Sequence, residues 1–215
     1  MTISPSDVLT WGVLGFMGVR LTSGLRRSRS ADGRSAVREI VTGVRFRHLW
    51  PVAVVLPVIV TAAALLMAIP GLRWGWWSLL GGEGNPVFGS ADSTTGTPFE
   101  WIIPLVFMTL LLPALPLFAY AEERMFRAGA EDWSRGKRAY KVLQFGMVHA
   151  LIGIPLGAAL ALSLGGAYFM AVYLRAHRAT HSRRTATLES TRAHTVYNAV
   201  IVALVVTYAV LVAVA

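Results

Sequence analysis

Val142-Leu-Gln-Phe145-Gly-Met-Val-His149-Ala-Leu-Ile-Gly153-Ile-Pro155-Leu-Gly157-Ala-Ala-Leu-Ala-Leu-Ser-Leu-Gly165-Gly166-Ala-Tyr-Phe-Met-Ala-Val-Tyr-Leu174 runs for 33 residues without an Asp, Glu, Lys or Arg. As one helix it would be about 50 Å long, against roughly 30 Å for the hydrocarbon core of a bilayer. Basic residues flank it on both sides: six lie in 124–141 and five in 175–192. Lys and Arg near spans mark the cytoplasmic side, so the run is expected to cross an even number of times. We therefore expect two short helices in a hairpin, broken around Pro155, Gly157 or Gly165-Gly166.

Working outward, residues 50–69, 101–120 and 196–215 are three further stretches free of acidic and basic side chains. Each has the roughly 20 apolar residues that a crossing needs. Eight Arg lie in 20–47, and Arg73 alone serves the loop 70–100. That loop, with Glu83, Asp92 and Glu100, is expected to face outward, the Gly/Ser/Thr-rich 81–98 forming its exported part. Trp74, Trp76, Trp77 and Trp101 then fall where an interfacial aromatic belt belongs. Residues 8–19 form a short apolar stretch between Asp7 and Arg20 that lacks the leading positive charge of a signal peptide. It reads as an interfacial helix or a short extra span.

Composition supports the same class. The chain has 215 residues, 55% hydrophobic and 14% charged, with a mean hydropathy of +0.57, which excludes an ordinary soluble domain. Twenty Lys and Arg against 11 Asp and Glu give +9. Their place beside apolar runs points to anionic lipid at the Arg-rich segment rather than to nucleic acid. Zero Cys excludes disulfides, thiolate metal sites and cysteine nucleophiles. The expected protein is an all-α, polytopic integral membrane protein of the cell membrane. It has about five spans including the short hairpin, a helical and Arg-rich N-terminal segment (1–48) and a membrane domain (49–215).

Ionisable groups near a span are costly unless they do something. Glu122 and Glu123 end the 101–120 run, His149 lies eight residues into the hairpin, and His194 and Asn198 open the last span. All fall within roughly two turns of the cytoplasmic boundary and are expected to meet in one cavity. Residues four apart share a helix face, which pairs His194 with Asn198, Phe145 with His149, and Glu123 with Arg127. A carboxylate beside a neutral imidazole can activate water, while a second imidazole and an amide N–H donate to an oxyanion, a set suited to amide hydrolysis.

Each pair also has an ordinary structural reading. Glu122, Glu123 and Arg127 fit a solvated helix end. Phe145 and His149 fit a packing aromatic and a histidine bonded to a backbone carbonyl. His194 and Asn198 fit a cap and anchor for the last helix. His177 and His181 are expected in an exposed basic loop, and His48 at the membrane interface.

In order, the chain reads Glu122-Glu123-Arg-Met-Phe-Arg127, Phe145-Gly-Met-Val-His149 and His194-Thr-Val-Tyr-Asn198. This resembles the CAAX protease and bacteriocin-processing family of intramembrane glutamic endopeptidases, with its EExxxR, FxxxH and HxxxN motifs, over about 101–215. The resemblance implies an all-helical fold with a cytoplasm-facing cavity and a metal-free, cofactor-free peptidase. Glu122 is then the catalytic glutamate, His149 its partner in water activation, and His194 with Asn198 the oxyanion site. Glu123, Arg127 and Phe145 support them, and the substrate is a membrane-associated peptide or protein. The Ala/Val/Arg-rich composition is that of a high-GC bacterium, which points away from prenylated substrates.

Two alternatives stay open. One Glu and two His could ligate zinc with an open position, although HExxH is absent and the ligands fall on separate helices. A non-enzymatic scaffold or immunity protein would use the polar cluster for helix association alone. The hairpin has its own test: topology reporters fused at Arg138 and at Arg183 are expected on the same side of the membrane, and opposite sides would remove the shared cavity.

Overall fold

A computed structural model describes residues 5–76 and 96–214, and every regular element among them is helical. In order these are α1 (Pro5–Arg29), α2 (Ala31–Thr42), α3 (Phe46–Leu49), α4 (Val52–Met67), α5 (Phe99–Leu111), α6 (Leu115–Phe126), α7 (Arg135–Met147), α8 (Leu156–Thr180) and α9 (Arg183–Val214). Tight 3-10 turns fill Leu112–Ala114, Ala130–Asp132 and Val148–Ile152. Trp77, Glu83, Asp92 and most of the expected exported loop lie outside the described residues.

Among the described residues, three segments are long and apolar enough to cross a membrane: Phe46–Met67, Phe99–Asp132 and Leu156–Thr180. The 142–174 run does break, at Gly153 and Pro155. Gly153 has φ +95°, a left-handed conformation that favours glycine. Pro155 stands at the N-cap of α8, where its missing N–H leaves no helical bond unmade. Gly165 and Gly166 pass through α8 without interrupting it. Only the second arm, α8, is long and apolar enough to cross; α7 has 13 residues, about 20 Å, and opens with Arg135, Lys137 and Arg138.

The arms of the hairpin are antiparallel and very close. A Cβ on Gly146 of α7 would stand 2.3 Å from the Ala159 carbonyl oxygen and from Ser163 Oγ of α8. On the other face of α8, α4 runs antiparallel to it. The Leu156 and Gly157 N–H groups donate to the Trp74 and Leu72 carbonyls at 3.1 and 2.7 Å, satisfying the first turn of α8. Helix α9 runs antiparallel to α5 and α6, with Met108, Leu115 and Val202 packed together.

Both ends of the hairpin are fastened to one short turn. Arg138 donates to the carbonyls of Ala130 (2.8 Å) and Glu131 (3.0 Å), and Arg183 pairs with Glu131 and Asp132. The Tyr173 hydroxyl donates to Glu131 Oε2 at 2.8 Å and accepts from the Gly129 N–H at 3.0 Å. This corrects the expectation of an exposed loop at His177, while His181 is exposed as expected. The backbone is helical to Thr180 and again from Arg183, and half-buried His177 lies 3.7 Å from Glu131 because the turn brings that carboxylate against the end of α8.

The N-terminal segment also departs from expectation. Helix α1 does not stop at Arg20 but continues to Arg29, where the Ser30 hydroxyl caps α2 by accepting from Gly33 N–H. Gly24 lies against Phe118 and Ala114, so α1 packs on the α5–α6 rod. His48 is buried, its Nδ1 accepting from the Arg45 N–H (2.9 Å) and its Nε2 donating to Glu189 of α9 (3.0 Å). Burial works against the ionised form of Glu189, but hydrogen bonds from His48 and Arg192 and the charge of Arg47 outweigh it, leaving this carboxyl below its usual value.

The closeness of α7 to α8 is directly checkable. Gly146→Ala should destabilise the protein by about 1–3 kcal/mol through overpacking against backbone atoms, read as a lowered unfolding midpoint in detergent. An unchanged midpoint would mean that the arms are not in contact at this position.

Candidate functional site

The centre of the site is Glu123, with no exposed surface. Helix α6 places it one turn before Arg127, and the expected i,i+4 pair forms, Arg127 Nη1 to Glu123 Oε1 at 3.0 Å. From α9, His194 Nδ1–H donates to the same oxygen at 2.9 Å, and the Ser190 hydroxyl lies against Oε2. Ser190 Oγ also reaches the Phe169 carbonyl of α8 at 2.9 Å. A buried carboxylate is tolerable when its lone pairs are met in this way. The reading of 122–127 as a solvated helix end therefore fails for Glu123 and Arg127.

Arg127, equally buried, spends its remaining donors on its surroundings. Nη2 donates to the Gly166 carbonyl at 3.3 Å, while Nε has no hydrogen-bond partner among the described residues. Its planar guanidinium instead lies 4.1 Å from the centroid of the Phe145 ring, with Phe169 at 5.5 Å and Phe126 at 5.7 Å. Three aromatic faces thus supply the electrostatic contact that water would give at a surface.

Phe145 is the hub. Its ring stands edge-on to Phe126 (5.5 Å), Phe169 (5.9 Å), His149 (5.3 Å) and His194 (5.5 Å). His194 in turn stacks on Phe169 at 4.3 Å. Two imidazoles from different helices thus flank one aromatic ring. His149 Nδ1–H donates to the Phe145 carbonyl at 2.8 Å, which leaves Nε2 as its unprotonated nitrogen when the ring is neutral.

Glu122 has a different environment from its neighbour. Its side chain is 37% exposed and its carboxylate lies 3.7 Å from His194 Nε2. His194 therefore sits between two carboxylates, buried Glu123 orienting it through Nδ1 and partly exposed Glu122 near Nε2. The 3.7 Å gap exceeds a direct hydrogen bond but is short enough for one reacting water to touch both groups.

The structure brings Glu122, Glu123, Arg127, Phe145, His149 and His194 into one connected set. Asn198 lies one turn beyond His194 on α9, half-buried, with no side-chain hydrogen bond to a described residue. Neither His194 nor Asn198 caps the last helix, since α9 begins at Arg183. Sequence reasoning missed Phe126, Phe169 and Ser190. Ser190 was within reach, because it precedes His194 by four residues and shares its face. Phe169 carried no comparable signal, since one aromatic in an apolar helix looks like any other.

Among the described residues, no group of three His, Asp or Glu is arranged to hold a metal ion. The oxygens of Glu123 and Nδ1 of His194 are already committed, leaving the Glu122 carboxylate and His194 Nε2 as two possible ligand atoms. The buried pair can be tested thermodynamically. Arg127→Met should cost about 3–5 kcal/mol by leaving buried Glu123 without its guanidinium counter-charge, and the double variant Glu123→Gln with Arg127→Met should recover much of that loss. Equal loss in single and double variants, read as unfolding midpoints in detergent, would show that the pair is not coupled. No family model matches the chain, and no curated protein or solved structure is significantly similar to it.

Proposed function

We propose that this chain is an intramembrane endopeptidase that hydrolyses a peptide bond of a membrane-associated peptide or protein with a carboxylate-activated water. The observation that carries this reading is the His194 imidazole, fixed by buried Glu123 and presenting Nε2 to partly exposed Glu122 at 3.7 Å. In this mechanism Glu122 takes a proton from water as the oxygen attacks the carbonyl carbon, with His149 Nε2 assisting. The Asn198 amide N–H donates to the oxyanion, joined by His194 when Nε2 also carries a proton, and the proton held by Glu122 passes to the leaving amine as the C–N bond breaks. Glu123, Arg127 and Phe145 do no chemistry, but hold the ring of His194 in its tautomer and orientation.

The membrane arrangement belongs to the same proposal. With the Arg-rich ends of the helices in the cytoplasm and the Trp-bearing ends outside, Phe99–Asp132 is long enough to cross and continue. Glu122 and Glu123 then stand near the cytoplasmic boundary, where water is available. The exposed arginines of α1 and α2 meet anionic headgroups there. In this reading α7 together with the turn Val148–Ile152 forms the outward arm of the hairpin and α8 the return, and the last helix completes about five spans.

A second reading has one observation in its favour: all partners of Glu123 come from the protein itself, as in a cluster that only locks helices together. The two readings diverge at Glu122. Membranes from cells producing wild type or Glu122→Gln should differ by peptide mass spectrometry, with an uncut substrate accumulating in the variant. Asn198→Ala should lower kcat by about 10²–10³-fold with little change in KM, the loss expected for one oxyanion donor. Identical peptide profiles at equal protein levels would leave the cluster as a structural tie and end the peptidase proposal.

A further inference from the structure

His48 is a titratable group that the proposed chemistry does not use, and it is 2% exposed. Its two ring nitrogens have fixed and opposite parts. Nδ1 lies 2.9 Å from the backbone nitrogen of Arg45, whose N–H can only donate, so this ring nitrogen carries a lone pair. Nε2 lies 3.0 Å from Glu189 Oε2, and an ionised carboxylate can only accept, so this nitrogen carries the proton. The structure therefore holds His48 neutral and in one tautomer, with the start of α3 on one side of the ring and α9 on the other.

Glu189 is already matched in charge without it, by Arg47 Nη2 on Oε2 at 2.7 Å and Arg192 Nη1 on Oε1 at 2.6 Å. Arg192 also reaches α2: its Nη2 donates to the Glu39 carbonyl at 3.2 Å, and a Cβ on Gly43 would stand 2.1 Å from its Nε. The Glu39 carboxylate is taken by Arg184 at 2.6 Å. The charged groups around His48 are thus Arg45 and Arg47 from its own segment and Glu189 and Arg192 from α9. Helix α4, which also packs on α3, contributes none.

A second proton on the ring would have to sit on Nδ1, pointing at the Arg45 N–H. Donor would then face donor in a place closed to water, and the bond from His48 that caps the start of α3 would be lost. Charge does not make up that loss, since one carboxylate would be shared among three cations. We propose that His48 is a proton-sensitive latch, fastening α3 to α9 while the imidazole is neutral and releasing it when the imidazole takes up a second proton. The inference stands apart from the peptidase reading, which gives none of these side chains a part in hydrolysis. Its place on α9 is nonetheless close to the buried cluster, because Glu189 immediately precedes Ser190, which holds Glu123.

The chain has no Cys, so spin labels can be confined to Phe46→Cys on α3 and His181→Cys just before α9, both exposed positions. Distances between the labels are read in the full chain in detergent micelles from about pH 8 to about pH 5, the range in which imidazole changes charge. Glu189, its carboxyl held below the usual value, stays ionised while the imidazole titrates. With His48 in place, the distance distribution should be narrow at the alkaline end, lose that narrow form on acidification and regain it on return. His48→Gln should keep the narrow form at both ends, because a glutamine amide accepts with one atom, donates with the other and does not titrate. Glu189→Gln, which removes the anion, should show the released form throughout. His48→Ala does the same, so the test survives if one variant does not fold. A distribution that pH leaves unchanged in the presence of His48, or a pH response that persists in His48→Gln, overturns the latch.

Discussion

The rest of the structure depends on burying one carboxylate and one guanidinium together. Neither Glu123 nor Arg127 can leave water alone, since an uncompensated charge in an apolar interior costs several kcal/mol. Their mutual contact at 3.0 Å is local, set by one turn of α6. Its consequences are not. Satisfying the remaining oxygens and N–H groups recruits Ser190 and His194 from α9 and the Gly166 carbonyl from α8. That set of bonds fixes the rotation and height of three helices against each other, where apolar packing in a membrane would specify them only weakly.

Aromatic rings complete what hydrogen bonds leave undone. Phe145 covers the face of Arg127 and holds the edges of both imidazoles, so one side chain links the ion pair to His149 and His194. The result is an imidazole whose tautomer is set by Glu123 and whose other nitrogen is turned toward Glu122. Adjacent glutamates thereby take different parts: Glu123 is part of the framework, and Glu122, pointing the other way around α6, stays partly exposed. A second ionic knot, Glu189 with His48, Arg47 and Arg192, fastens α3 to α9 one residue before Ser190. The Arg-rich N-terminal segment is thus tied directly to the helix that carries His194.

Much of this was legible along the chain. Hydropathy and the position of arginines supplied the helical class, the break in the 33-residue run and the meeting of its two ends. The rule that residues four apart share a face paired Glu123 with Arg127 and Phe145 with His149. What stayed hidden concerned relations between helices. Whether 122–127 was a solvated end or a buried cluster turned on contacts more than sixty residues away, at Ser190 and His194. The roles of Phe126 and Phe169 likewise follow from what lies beside them.

Periodicity and charge are local properties, so the sequence by itself determined the helical class, the break in the long apolar run and which side chains share a face. It could not determine which of two adjacent glutamates is enclosed, because 100° of rotation about α6 separates them and only the neighbours of that helix decide which faces inward. Tertiary packing settled that question by placing α8 and α9 against Glu123, and with it decided that Glu122 is the carboxylate left partly exposed.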